Sequence, residues 1–260
     1  MKRTISAMSG DGVVAHNRRT YIAENVDQTR THLNIEYCYT PIEQAYHELF
    51  DEAQAEYNAK QKRKDRRIEN YYEKICNGDQ EKPFYEVIFQ VGNKDDMGAA
   101  SENGALAKEI LDKFYHSFLE RNPQLHVYSA HLHMDEATPH LHIDFIPFTT
   151  GSKRGLSTRV SLKQALADQG ITGEGRSLTE RDLWVQKEKK ALAEIMLEHA
   201  KQKYLVVDST KIDLINFYRI GTFDLVDAMV IDRLDSTNWK NFIYEKGIRL
   251  IEAGKENENG

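Results

Sequence analysis

Four of the ten histidines fall within fifteen residues, HLHMDEATPHLHIDF at 131–145, together with Asp135, Glu136 and Asp144 around Pro139. Imidazole suits a divalent ion such as Zn, Mn, Fe or Ni, and geometry decides among them. Side chains alternate along a strand, so His140 and His142 share one face while Leu141 and Ile143 take the other. His131 and His133 share a face in the same way. A hairpin brings two strands to ~5 Å spacing. The imidazoles of His133, His140 and His142 can then converge on one ion and leave positions open for substrate and water, as a catalytic metal requires. His131 is the weaker fourth candidate. Asp144, on the face of His140 and His142, is placed to hold the second ring nitrogen of a ligand. A lone strand histidine is ordinarily a half-exposed polar residue, and three at this spacing are what argue for a metal.

The elements that must position these residues are readable. LHVYSAHLHM (125–134) and HLHIDFIPF (140–148) are two strands, and DEATP between them makes an antiparallel hairpin with a slightly long turn. FYEVIFQVG (84–92) reads as a buried strand, and residues 2–9 and 32–40 as two more. ALAKEILDKFYHSFLER (105–121) has the apolar spacing of an amphipathic helix. TPIE (40–43) opens another, with Thr40 as cap, Pro41 at the first helical position and Glu43 completing a capping box. That helical pattern runs to about Ile75 and carries the basic run KQKRKDRR (60–67). Two further helices are expected near 158–168 and 179–203, the second opening at Thr179 with Asp182 three residues on. This order predicts an α+β fold, an antiparallel sheet with helices packed on one face and the metal site on a central β-hairpin. Residues 1–203 form the main domain. Residues 204–260 read as a small helical appendage of unknown role, with GKENENG at its end disordered.

Composition sets outer bounds. With 40% hydrophobic and 10% aromatic residues the chain can build a core. No apolar run approaches the ~18 residues of a membrane span, and MKRTISAMSGDG lacks the apolar segment of a signal peptide. Cys38 and Cys76 make neither a disulfide framework nor a Cys-based metal site, and a reducing cytoplasm fits best. A net charge of −6 argues against coating duplex DNA through bulk charge and leaves room for a local basic groove.

The spacing His133-Met134-Asp135-Glu136-Ala137-Thr138-Pro139-His140-Leu141-His142 resembles the metal motif of the MobV-type (Mob/Pre) plasmid mobilisation and recombination relaxases, within the HUH group of single-strand endonucleases. A separate stretch, His16-Asn17-Arg18-Arg19, is similar to the His-Asn-x-Arg element near the N-terminus of that family. TRTHLNIEY (29–37) and GLSTRVSL (155–162) also resemble family segments. The resemblance covers roughly residues 1–203 and does not extend to 204–260.

That resemblance implies a relaxase domain at 1–203 that nicks one DNA strand at an origin of transfer and joins strands through a covalent 5′-phosphate–protein intermediate. It implies Mn or Mg as cofactor, and single-stranded or supercoiled origin DNA as partner, with accessory mobilisation and conjugation proteins. His16 matches the family's nucleophile, with Glu136 orienting its ring or taking its proton and Arg19 steadying the phosphate. Tyr21, Tyr37 and Tyr39 are rival nucleophiles, since other HUH enzymes use tyrosine. Asn17, Arg30, Lys153, Arg154 and Arg159 are candidate DNA contacts, the last three near the cut. The Lys60–Arg67 run could bind DNA or form a solvated face, and Tyr71 and Tyr72 could stack on bases or pack in the core. Other readings stay open: a rolling-circle replication initiator of the HUH group, for which Tyr204 is the only tyrosine near a helix after the metal motif; a metal-stabilised origin-binding protein that does not cut; and a small-substrate zinc hydrolase.

Overall fold

The computed structural model describes residues 4–214 and 222–253. The chain divides into two compact units, Met1–Leu192 and Ala193–Gly260. The first unit contains β1 (Ile5–Gly10), α1 (Val14–Asn17), β2 (Ile35–Tyr39), α2 (Ile42–Ala59), α3 (Tyr71–Cys76), β3 (Tyr85–Val91), α4 (Glu102–Arg121), β4 (Leu125–His133), β5 (His140–Thr149), β6 (Arg159–Val160) and α5 (Leu162–Asp168). The division falls within α6 (Glu180–His199), and the boundary expected at 203/204 lies beyond the end of that helix.

The main sheet has the order β1-β3-β5-β4-β2, with β6 also pairing β5. Neighbours along that order are antiparallel. The expected hairpin β4–β5 therefore sits at its centre. Leu141, Ile143 and Phe145 face α4, where Phe89 meets Phe114 at 4.6 Å between ring centroids and Trp184 meets Phe145 at 5.5 Å. The opposite face is also partly covered. Tyr46 and Phe50 of α2 and Tyr71 of α3 form one core with Tyr128 and Ile146. Helices thus lie on both faces, not on one. The reason is written along β5: positions 140, 142 and 144 are polar, while Ile146 and Phe148 continue the same face with apolar side chains. The polar end of that face lies beyond α2 and α3 and is covered by the segment around α1, where Asn17 bonds His133 and Asp144.

Several boundaries differ from expectation. Pro41 itself is the N-cap of α2, with φ −52° and ψ 134°, and no side chain caps that helix. The helix stops at Ala59, so Lys60–Arg67 is not helical apart from the 3-10 turn Lys64–Arg66. Asn58 turns the chain there, its amide bonding both N–H and C=O of Ile68. Residues 28–33, partly expected as strand, form a 3-10 turn. Tyr71 is core, and its hydroxyl accepts from the Val160 N–H. The Thr179–Asp182 cap is reciprocal, as its spacing predicts.

The second unit is not a helical appendage. β7 (Tyr204–Val207), β8 (Ala228–Ile231) and β9 (Arg249–Glu252) make a parallel sheet in the order β7-β8-β9, with α7 (Thr237–Glu245) joining the last two. Met229 and Ile231 pack against Ile243 of α7. The short apolar runs that looked helical in aggregate are strands rich in Val, Ile and Leu. GKENENG lies outside the described residues. Among the described residues no helix is long and apolar enough to cross a membrane.

The packing of α4 on the sheet sets a stability prediction. Phe89 is fully buried and Leu119 is 42% exposed. Phe89→Ala should cost about 3–5 kcal/mol and Leu119→Ala less than about 0.5 kcal/mol. The measurement is denaturant unfolding followed through Trp184 fluorescence, with Trp239→Phe as background.

Candidate metal centre

The β4–β5 register sets His133 opposite His140 and His131 opposite His142. Ring centroids of His133, His140 and His142 lie 4.8–5.2 Å apart. Each of the three has one nitrogen committed to an acceptor. His133 Nε2 donates to the Asn17 carbonyl at 2.8 Å, His140 Nδ1 to the Thr138 carbonyl at 2.8 Å, and His142 Nδ1 to Glu86 Oε1 at 2.7 Å. Those bonds leave His133 Nδ1, His140 Nε2 and His142 Nε2 as lone-pair nitrogens. His133 Nδ1 and His142 Nε2 are buried with no hydrogen-bond partner. An orphaned buried acceptor costs about 1–3 kcal/mol, and a bound cation removes that cost. Burial, and then the neighbouring imidazoles, push His133 down to about 2 and hold His140 below its ordinary value, so both rings are neutral at pH 7 and keep a lone pair that could hold a cation.

Glu86 was not among the residues singled out in the sequence. It is the acid inside the apolar run of β3. Besides His142, its carboxylate accepts from the Gly12 N–H at 2.7 Å and the Asn17 amide at 2.9 Å. Burial pushes its carboxyl up, but the bonds from His142, Gly12 and Asn17 outweigh burial and hold it below the usual carboxylate range. Gly10 makes room for it, because a Cβ there would meet Glu86 Oε2 at 1.7 Å. Gly12 has φ +63°, a conformation suited to glycine. Glu86 thus takes the place expected for Asp144. Asp144 instead accepts from Ser129 and Asn17, and burial, with the Glu86 charge, raises it to about 6. His131 turns toward Glu36, 3.8 Å away, and its ring stands 6.4 Å from that of His133.

His16 lies on α1 beside this cluster. Its ring meets His133 and His142 edge-on at 5.8 and 6.1 Å. The ligand atoms of His16, His133 and His142 lie within 4.8 Å of one another, as do those of His133, Glu136 and His140. His16 Nε2 stands 3.4 Å from Glu136 Oε1 and 3.2 Å from Arg19 Nη1. The guanidinium can only donate, so Nε2 presents its lone pair. Burial, and then the Arg19 charge, lower its pKa. Arg19 holds the arrangement. At φ +57° it sits in the left-handed region, at a cost of roughly 1–2 kcal/mol for a non-glycine residue. It bonds Asp135 through Nε (2.9 Å) and Nη2 (2.6 Å), and Glu136 through Nη2 (2.8 Å). Asn25 donates to the other Glu136 oxygen at 2.8 Å.

The remaining candidates fall elsewhere. Asn17 is buried, with its amide shared between Glu86 and Asp144, so it serves the framework and cannot reach DNA as expected. Arg30 donates to the Met134 and Ala99 carbonyls and supports the hairpin turn. Lys153, Arg154 and Arg159 follow the far end of β5. Nine strand steps separate His140 from Thr149, roughly 30 Å, so these cations are not near the histidines. Tyr37 gives its hydroxyl to Asp112 and stacks on Tyr115. Tyr39 lies under the Arg18 guanidinium at 3.9 Å, and Tyr21 is 62% exposed. Met8, Ile88 and Gln90 join His16, Glu136, His140 and His142 around a cleft of about 380 Å³.

A family model described as plasmid recombination enzyme, Mob_Pre, matches residues 9–186. Among solved structures, a MobM relaxase domain (MOBV; Mob_Pre) bound to plasmid pMV158 oriT DNA with Mn is 18% identical, covering 75% of this chain and 86% of that chain at a TM-score of 0.43. A second structure of that domain, with a 23-nucleotide DNA, is 17% identical over 76% and 84% of the two chains, at a TM-score of 0.35. No curated protein matches the chain significantly.

The bonding of Glu86 to His142 predicts that Glu86→Gln weakens divalent metal binding by about 10–100-fold with the fold retained. Titration of Mn into the purified variant, with circular dichroism alongside, measures both.

Proposed function

This chain belongs to the Mob_Pre family of plasmid recombination enzymes, and we propose that it is a metal-dependent relaxase that nicks one DNA strand at an origin of transfer and rejoins strands through a protein–phosphate bond. The observation that carries the reading is the pair of partnerless, buried lone-pair nitrogens, His133 Nδ1 and His142 Nε2, converging beside His16. We assign the activity to residues 1–203 and the protein to the cytoplasm, in keeping with the free thiols Cys38 and Cys76.

In this reading His133, His140 and His142 hold the ion. Mn or Mg is the ion the family resemblance implies, and Mn is the one in the MobM structures. A divalent ion held by these residues would supply positive charge against the charge that develops on the scissile phosphate. His16 Nε2 attacks phosphorus in line. The N–P bond forms, the P–O3′ bond breaks, and the leaving 3′ oxygen takes a proton from water. The Glu136 carboxylate faces the imidazolium that results and stabilises its charge. Arg19 holds His16 and Glu136 in register. The covalent bond conserves the free energy of the phosphodiester, so a strand can be rejoined. The rolling-circle initiator needs a helical tyrosine after the metal motif; Tyr204 lies on strand β7, and the helical tyrosine that follows the motif, Tyr244 on α7, also belongs to the second unit, outside the 9–186 match to the family.

The test tiles single-stranded oligonucleotides across the DNA flanking the gene, adds protein and Mn, and looks for a covalent adduct on a denaturing gel. An acid-labile adduct is expected from the wild type, and none from His16→Ala, from His140→Ala or after chelation. An acid-stable adduct that survives His16→Ala would move the nucleophile to a tyrosine. No adduct on any tile, with metal bound, would favour an origin binder that does not cut. Independently, Mn at a hundred times its Kd should stabilise the wild type by about 2.7 kcal/mol, read as a rise in Tm that His140→Ala lacks.

A further inference from the structure

We infer that the second unit carries a self-pairing edge: strand β7 takes the β7 of a second copy of this chain, antiparallel, with Tyr204 of each copy opposite Val206 of the other. The two three-stranded sheets then form one continuous sheet across a two-fold axis.

The direction of the backbone shows that the edge is open. Peptide groups of successive strand residues point to opposite sides of the strand. The Lys203 carbonyl accepts from the Asp227 and Ala228 N–H groups at 3.0 and 3.2 Å, so it points toward β8. By alternation Leu205 and Val207 bond β8 as well. The N–H and C=O of Tyr204 and Val206 therefore point outward, because β7 ends the order β7-β8-β9. Among the described residues none outside the sheet bonds them.

Edge strands are ordinarily protected from pairing by a charge, a proline or a bulge. The other edge of this sheet has that protection, with Arg249 and Glu252 in β9. β7 reads Tyr-Leu-Val-Val and has none. Its side chains divide by face. Leu205 and Val207 pack into the core with Met229 and Ile231. Tyr204 and Val206 take the other face and are 47% and 75% exposed. An outward row of peptide groups flanked by bare apolar side chains is the chemistry that accepts an added strand.

The sequence around β7 selects its own copy as that strand. Lys201 and Lys203 precede the apolar run and Asp208 follows it. Antiparallel self-pairing sets the basic end of one copy against the acidic end of the other, at both ends of the ladder. Parallel self-pairing would set like charges together. With the axis at Leu205, Tyr204 and Val206 form aromatic–β-branched cross-strand pairs twice over on the open face. These are the residues with outward peptide groups, so each pair exchanges two N–H···O=C bonds. Leu205 then faces its own copy at the narrow position. With the axis at Val206, Tyr204 would instead meet the Asp208 carboxylate. A four-residue strand buries less than the ~1,200 Å² at which specific interfaces begin to be stable, so the dimer is weak and concentration-dependent. The two-fold consumes the edge and closes the assembly at two copies.

The test is sedimentation velocity of the full chain from about 1 µM to about 1 mM, which brackets weak association. Monomer should pass to dimer with no larger species. Val206→Pro removes an outward N–H and leaves the bonds to β8 alone. It and Val206→Lys should each raise the midpoint concentration at least about tenfold, with an unchanged circular dichroism spectrum. Val206→Thr keeps the β-branched shape and should dimerise like the wild type. Cysteine crosslinking reads the register, in a Cys38→Ser, Cys76→Ser background. Leu205→Cys should form a disulfide dimer under mild oxidation, because a narrow pair brings its Cα atoms to ~4.5 Å, and Val206→Cys should not. A chain that stays monomeric throughout would overturn the proposal. So would a dimer indifferent to Val206→Pro and Val206→Lys, or crosslinking through Val206→Cys and not Leu205→Cys. β7 lies outside residues 9–186, so loss of the dimer and loss of the DNA adduct are separate results.

Discussion

The arrangement depends first on one buried carboxylate. Asp135 is fully buried and accepts bonds from Arg19 Nε and Nη2, Thr31 Oγ1 and Asn34 Nδ2. Those donors come from the segment after α1 and from the turn before β2, and Asp135 itself lies in the β4–β5 turn. Three stretches far apart in sequence are thereby fixed on one side chain. The Arg19 side chain is only 6% exposed, so its charge needs this partner. Breaking a buried pair by removing one member costs about 3–5 kcal/mol. The position of His16 beside the histidine cluster follows from this tie together with Asn17, whose carbonyl accepts from His133 and whose amide donates to Asp144.

The second layer of order is directional. An imidazole offers either nitrogen, and a cluster of three could present several mixtures of donor and acceptor. Here a backbone carbonyl fixes His133, another fixes His140, and Glu86 fixes His142. The free lone pairs are selected before any ion arrives, which is the usual task of groups behind metal ligands. Glu86 could not sit there without the missing side chain of Gly10, its register partner on β1.

How much of this was legible depended on range. Alternation along 131–133 and 140–142 is local, and it gave the strands, the hairpin and the shared face of the histidines. The resemblance at His16-Asn17-Arg18-Arg19 supplied the partner segment, and the fold brings it to the cluster. Glu86 was not legible, because its meaning lies in a contact across 56 residues, although an acid within an apolar run was a signal. Asn17 read as a candidate DNA contact in a polar stretch, and only the sheet beneath explains its burial. Lys153, Arg154 and Arg159 were placed near the cut because they follow the hairpin in sequence. The length of β5 carries them away. The second unit was misread because short apolar runs do not separate helix from strand without their partners.

The irregularity in β4 has its own consequence. Between Val127 and Ser129 the register with β5 shifts, so Tyr128 is an extra residue. It packs with α2 and α3, while His131 and His133 beyond it keep the face of His140 and His142. A pleated strand has a period of two, and a bulge sets two residues of one strand against one of its partner. Loss of Tyr128 would straighten the ladder and keep Ser129 opposite Asp144 and His131 and His133 opposite His142 and His140. β4 can therefore shorten by one residue at its bulge without exchanging the faces of its imidazoles, at the cost of the Tyr128 ring that packs with α2 and α3. A single-codon deletion at that point changes packing and spares parity, whereas a slip of the whole ladder by one residue would turn the imidazoles of β4 into the apolar layer under α4.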